Sequence, residues 1–168
     1  MDIRSFMHKA QNSQFYLNLL NMGLNRVVPF NKPHGFAILE LSSNSIKTLL
    51  PYKRKNLNHI KGLHACALAT LSEFSTGALL LSIIDPDKYR IILKQIKVDY
   101  HYQGKMDAIG EFQISKDWLD EHVWQPLENT ESVDVDCSVR IHDKQHNHLC
   151  TGHVTWQIKD WEKVQTKT

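Results

Sequence analysis

One stretch dominates the pattern of apolar and polar positions: Asn58 to Ile84, NHIKGLHACALATLSEFSTGALLLSII. From Leu63 onward it is apolar nearly all round, with a single carboxylate, Glu73, in its middle. Apolar residues on every side mark a helix that is buried in a core or spans a membrane. His64, Thr70, Ser72, Glu73, Ser75 and Thr76 interrupt the run and no charged flank follows it. The pattern therefore predicts a buried helix over 63–84, ended by Asp85-Pro86-Asp87.

The flanks supply what must wrap this helix. Residues 3–24 carry a roughly helical spacing of Ile3, Phe6, Met7, Phe15, Leu17, Leu19, Leu20 and Met22, with Gly23 as a stop. A turn follows at 31–35. Strands are expected at 36–41 and 46–52, joined by Ser42-Ser43-Asn44-Ser45 as a hairpin. After the helix come a long strand, 89–102, with Ile92, Ile96, Val98, Tyr100 and Tyr102 at even spacings, and a shorter one at 108–114. A short helix over 116–127 precedes two more strands. The first, 133–141, alternates strictly, with Val133, Val135, Cys137, Val139 and Ile141 set against Asp134, Asp136, Ser138 and Arg140. The last, 149–158, returns from a turn at 143–147. Alternation of this kind gives a sheet with one face on the core and the other partly solvated. The fold class is α+β: an antiparallel sheet of five to six strands curled around one long helix, with an extra N-terminal helix. Six short strands cannot enclose the helix, so a second copy of the chain is expected to close the open side.

A length of 168 residues fits a single domain, 1–168. A net charge of +2 is too small to argue for nucleic acid or an anionic membrane surface as partner. Cys66, Cys137 and Cys150 are an odd number without framework spacing, as expected of thiols in a reducing cytoplasm. MDIRSFMHKAQ lacks the apolar core of a signal peptide.

The segment Asn58-His59-x-x-Gly62-x-His64-x-x-Ala67-x-x-x-Leu71-x-Glu73, in this order of elements, resembles the hotdog-fold acyl-CoA thioesterases of the phenylacetic-acid and 4-hydroxybenzoyl-CoA type. That family has a loop with Asn and Gly, then His-Gly-Gly opening the helix, then an acidic residue nine positions after the His. The resemblance covers 36–158 and leaves 1–35 as a helical extension. It departs at one point: His-Gly-Gly is His64-Ala65-Cys66 here, which keeps the N–H groups and adds side-chain bulk.

The resemblance implies hydrolysis of an acyl-CoA, or carrier-bound, thioester by a homodimer or homotetramer. Coenzyme A would arrive as part of the substrate, with no separate cofactor. A helix N-terminus offers unpaired N–H groups and the positive end of a dipole, so Ala65 and Cys66 can bind a thioester carbonyl and its oxyanion. Glu73 then serves as nucleophile or as base for a water. Eight residues of helix separate Ala65 from Glu73 by about 12 Å. Glu73 must therefore serve the helix tip of a second subunit. The stripe Cys66, Ala69, Thr70, Glu73 and Gly77 falls on one face and is mostly small, as close approach or a narrow channel requires.

The remaining candidates have simpler readings beside the functional ones. His64 is an orienting residue by resemblance and a helix cap by position. Asn58 holds the carbonyl or the water, or else shapes a turn. His59 and Gly62 belong to the same loop, Gly62 as a positive-φ entry to the helix. Lys53 and Arg54, with Lys55, can hold the phosphates of coenzyme A or form a solvated edge. Arg90 and Lys94 are weaker candidates of the same kind. Thr70 lines the stripe. Cys66 as a nucleophile lacks an evident base beyond His59 or His64. His142, His146, His148, Cys150 and His153 are spaced around a hairpin turn that keeps them from converging, so no metal is expected. Two other functions fit the pattern. One is a hotdog dehydratase using His59 and Glu73, fourteen residues apart. The other is a non-catalytic acyl-CoA binder, with Phe15, Tyr16 and Leu19 over the pocket mouth.

Overall fold

The structure is a computed structural model that describes residues 3–164. Two helices, α1 (Ile3–Gln11) and α2 (Gln14–Val27), lead into strands β1 (Ala37–Leu41) and β2 (Ser45–Leu50). A single turn at Arg54–Asn56 and a loop precede the central helix α3 (Ala65–Ile83). Strands β3 (Tyr89–Tyr100) and β4 (Ala108–Gln113) follow. A helical segment runs from Lys116 to Asn129, with a π-helical turn at Asp120–Trp124, before β5 (Ser132–Asp143) and β6 (His148–Asp160).

The six strands form one sheet in the order β1-β2-β4-β5-β6-β3, antiparallel at every step. Its inner face carries the alternating set expected of β5: Val135, Cys137, Val139 and Ile141 are buried, while Asp134, Asp136, Ser138 and Arg140 are exposed. α3 lies across that face and buries eleven of its nineteen residues. Long and apolar enough to cross a membrane, it is instead mostly covered by the sheet.

Close contact depends on small residues. Gly77 lies under the Trp156 ring, where an added Cβ would sit 2.7 Å from two ring carbons, and Gly110 faces Ser75 and Thr48. The hydroxyls that interrupt α3 are satisfied within the helix. Ser72, Ser75 and Thr76 donate to the carbonyls of Leu68, Leu71 and Ser72 at 3.0, 2.6 and 3.1 Å. Thr76 Oγ1 also accepts from the Trp156 indole at 3.0 Å, and Ser75 meets Thr48 at 2.6 Å. A buried hydroxyl with a partner costs little, so these residues sit in the core without breaking it.

Three sequence expectations change. The N-terminal segment is two helices, not one: the chain breaks at Asn12–Ser13, and α2 continues through Gly23 to Val27. Gly23 has open space around it and only weakens the helix locally. In β3, Ile92 does not share a face with Ile96, Val98 and Tyr100. A bulge between Leu93 and Gln95 inserts one residue and reverses the alternation, leaving Ile92 45% exposed on the outer side. The central helix begins at Ala65 because Leu57 and Leu63 bridge across the loop, holding Leu63 out of the helix.

α1 and α2 pack on the core through Met7, Ala10, Leu17 and Leu20. Arg4 pairs with Asp85 at 2.9 Å, just beyond the C-terminus of α3. α1 is thereby tied to the end of α3 far from its first turn. Phe15 points into solvent.

Candidate active site

The loop before α3 is pinned from several sides. The Asn58 carboxamide oxygen accepts from the N–H groups of Ile60 and Gly62 at 3.1 and 2.9 Å. The Asn58 N–H donates to the Gly62 carbonyl at 2.8 Å. The Tyr52 hydroxyl holds the Lys61 carbonyl at 2.6 Å, and Leu63 N–H bonds the Gly104 carbonyl at 2.8 Å. The positive φ expected at Gly62 belongs instead to Lys61, at 59°. A Cβ at Gly62 would lie 2.8 Å from the exposed Gln103 side chain, which would have to move aside. Asn56, fully buried, donates to the carbonyls of His34 and Pro51, and its own carbonyl accepts from His64 N–H at 2.8 Å. Asn56 had no sequence signal, since nothing marks a buried Asn in a basic loop.

His64 is the N-cap of α3, with φ −69° and ψ 137°, and its Nδ1 accepts from Cys66 N–H at 3.1 Å. This satisfies one of the donors that a helix start leaves open. The Ala65 N–H has no acceptor among the described residues. Of the two amides expected at the tip, that of Ala65 is therefore the open one. The Ala65 carbonyl accepts from the Tyr100 hydroxyl at 2.8 Å, so β3 fixes the first turn of the helix. Burial raises the Tyr100 pKa, and the phenol stays a donor. Tyr100 was legible as a strand residue only; a contact thirty-five positions apart leaves no local pattern.

Down the helix, the uncovered positions are Ala65, Cys66, Ala69, Thr70 and Glu73, until its last turn. They form one strip, and Gly77, under Trp156, ends it. Thr70 bonds the Cys66 carbonyl at 2.9 Å. Glu73 is half-buried, and its carboxylate has no hydrogen bond or ion pair among the described residues. Burial alone raises its pKa above the ordinary glutamate value. Each serine and threonine of α3 has a partner; its one carboxylate has none.

A second feature adjoins the tip. Lys53, Arg54 and Lys55, with Lys32 and Pro33 from the turn after α2, line an open cup of about 640 Å³. None of these four cations has a carboxylate partner among the described residues. Asn56, the residue after Lys55, ties this stretch to the helix start by accepting from His64 N–H.

Other candidates are placed elsewhere. His59 is exposed in the loop. Lys94 pairs with Asp134, and Arg90 bonds Gln157. His142 stacks on His146 and His148 packs against His101, while His153 bonds Ser138. Among the described residues no three metal-ligating side chains converge. Trp118 and Trp124 pack on His122 and Tyr89. Burial pushes the Cys137 and Cys150 thiols up to about 12, which makes them inert.

This architecture has solved counterparts. A Pseudomonas aeruginosa protein described as a probable thioesterase matches with a TM-score of 0.77 at 21% identity, over 85% of this chain and 95% of its own. A thioesterase from Haemophilus influenzae matches with a TM-score of 0.69 at 10% identity, over 94% and 99%. A thioesterase from Staphylococcus aureus matches with a TM-score of 0.63 at 13% identity, over 79% and 99%. The chain is a hotdog-fold protein, an antiparallel sheet wrapped around one central helix. Residues 17–158 match the family described as Domain of unknown function (DUF4442), and the chain belongs to that family. The match takes in most of α2, which the resemblance had left outside. No protein of curated function matches.

Proposed function

We propose that the protein hydrolyses an acyl-CoA or acyl-carrier thioester at a site shared between two subunits, in the cytoplasm. One observation carries the reading: Glu73 is a partnerless, half-buried carboxylate on the strip of α3 that leads to an open N-terminal amide. A protein gains no stability from such a carboxylate, since burial penalises the charge and nothing offsets the penalty. Function is the simplest reason for its presence.

In the proposed reaction the Ala65 N–H and the helix dipole hold the thioester carbonyl oxygen. Glu73 of the facing subunit takes a proton from water, and the hydroxide attacks the carbonyl carbon. The oxyanion forms against the Ala65 amide. As it collapses the C–S bond breaks, the acid is released, and the thiolate leaves to be protonated. A raised pKa makes Glu73 a stronger base than an exposed glutamate. His64 and Tyr100 position the tip, and Thr70 lines the path. The cup of Lys53 and Arg54 takes the phosphates of coenzyme A.

The need for a second copy follows from the helix rise, which separates Ala65 from Glu73 by about 12 Å within one chain. It is supported by β3, an edge strand of twelve residues that leaves Ile92, Leu93 and Tyr100 exposed. The thioesterases among the structural neighbours agree with the class of reaction. Glu73→Gln tests it. A folded dimer with no thiol release from a panel of acyl-CoA esters that the parent cleaves is the expected result, and undiminished turnover refutes the assignment.

A further inference from the structure

Four consecutive apolar residues, Val27-Val28-Pro29-Phe30, are all exposed where α2 ends. Val27 is 77% and Phe30 61% accessible. Soluble chains scatter single apolar side chains over their surface; a contiguous exposed run marks a contact site. Backbone bonds brace the turn. Val28 N–H bonds the Leu24 carbonyl at 2.9 Å, Asn31 N–H bonds the Val28 carbonyl at 3.0 Å, and Gly35 N–H bonds the Asn31 carbonyl at 2.9 Å. Phe30 lies 5.2 Å from the His34 ring, which Asn56 ties to the core.

Cations frame this turn. Arg26 and Lys32 flank it in sequence, and they share a cavity of about 740 Å³ with Met22 and Pro29. The cavity meets the basic cup of Lys53, Arg54 and Lys55 at Lys32. The net charge of +2 conceals this arrangement. Residues 1–72 hold nine Lys and Arg against two carboxylates, Asp2 and Glu40, while residues 73–168 hold eleven against sixteen.

We propose that this surface docks on an anionic lipid bilayer, with Val27 and Phe30 entering the acyl boundary and Arg26 and Lys32 meeting the headgroups. The geometry favours a bilayer over other polyanions. Nucleic acid would satisfy the cations and leave four apolar side chains in water, whereas a bilayer takes both. The proposal stands apart from the thioesterase reading, since its readout is binding rather than turnover.

The experiment is co-sedimentation of the full chain with vesicles of phosphatidylcholine alone and of phosphatidylcholine mixed with phosphatidylglycerol. Association with the mixed vesicles only, reversed by high salt, is expected. Arg26→Ala should weaken it about fivefold, one headgroup-facing cation's worth. Val27→Ser with Phe30→Ser should weaken it more than about tenfold. None of these changes should alter circular dichroism or oligomeric mass. Three results each overturn the proposal. One is no association, or equal association with both vesicles. Another is unchanged binding by the Val27→Ser, Phe30→Ser variant, which would mean unspecific attraction to any polyanion. The last is loss of dimer mass in that variant, which would assign the turn to a contact between copies.

Discussion

The proposed division of the active site between two chains can be tested by complementation. Glu73→Gln removes the proposed base and keeps its size. Ala65→Pro removes the one open N–H at the helix tip. Proline is favoured at the first position of a helix, and His64 before it already has φ −69° and ψ 137°, the conformation that a following proline demands. Both variants should fold, and each alone should lose about 100- to 10,000-fold in rate. A reacting carbonyl must lie about 3–3.5 Å from its attacking group. Glu73 cannot bridge about 12 Å to its own Ala65. In a mixed dimer one site combines both substitutions and is dead; the other contains neither and is whole. Random reassociation of equal amounts makes half the dimers mixed, so about one quarter of the parent rate should return. The assay is thiol release from acyl-CoA after the two variants are unfolded and refolded together. No recovery, with mixed dimers demonstrated by mass, would refute the geometry. Recovery above one half would refute the split of one base and one tip per site.

Four further outcomes are expected. The rate should fall on the acid side with a midpoint above the ordinary glutamate value, because burial raises the Glu73 pKa, and a pH–rate profile reads it. The folded chain binds this proton more tightly than the unfolded one, so the Glu73 contribution to stability falls as pH rises from the ordinary value through the raised one; Glu73→Gln should melt higher than the parent at neutral pH and show less difference in acid. Gly77→Ala should destabilise the fold by up to about 2 kcal/mol in denaturant titration: the helix gains about 1 kcal/mol in propensity, but the methyl meets a Trp156 ring that Thr76 holds in place, an overpacking cost of about 1–3 kcal/mol. If the cup takes the nucleotide phosphates as proposed, Lys53→Glu with Arg54→Glu should raise KM for acyl-CoA several-fold and leave the matching pantetheine thioester, which lacks the nucleotide, unaffected.

Much of this molecule could be read from residue order. The run around Glu73 is too apolar for any surface helix. The alternation in β5 admits only a half-buried strand, and the order of elements leaves few ways to bury such a helix. Those are local properties, each repeated over many residues. What depended on one inserted residue was lost. The bulge after Leu93 reverses the face of Ile92 against an even spacing, and the break at Asn12 was hidden beneath a continuous helical pattern.

The site divides in the same way. Sequence singled out Glu73, the helix tip and the basic run as chemistry-bearing residues, because a carboxylate in an apolar helix and a cation cluster stand out from their neighbours. It did not say which amide stays open, since that turns on the rotamer of His64 and its bond to Cys66 N–H. Nor did it reveal the grip of Tyr100 on the Ala65 carbonyl, or the meeting of Lys32 with Lys53, or the four apolar residues left bare beside them. Periodicity along a chain fixes which face of an element is apolar, because that follows from backbone geometry alone. Which side chains share a hydrogen bond or a patch of surface follows from how the sheet curls and where the loops are tied, and only the folded molecule decides that.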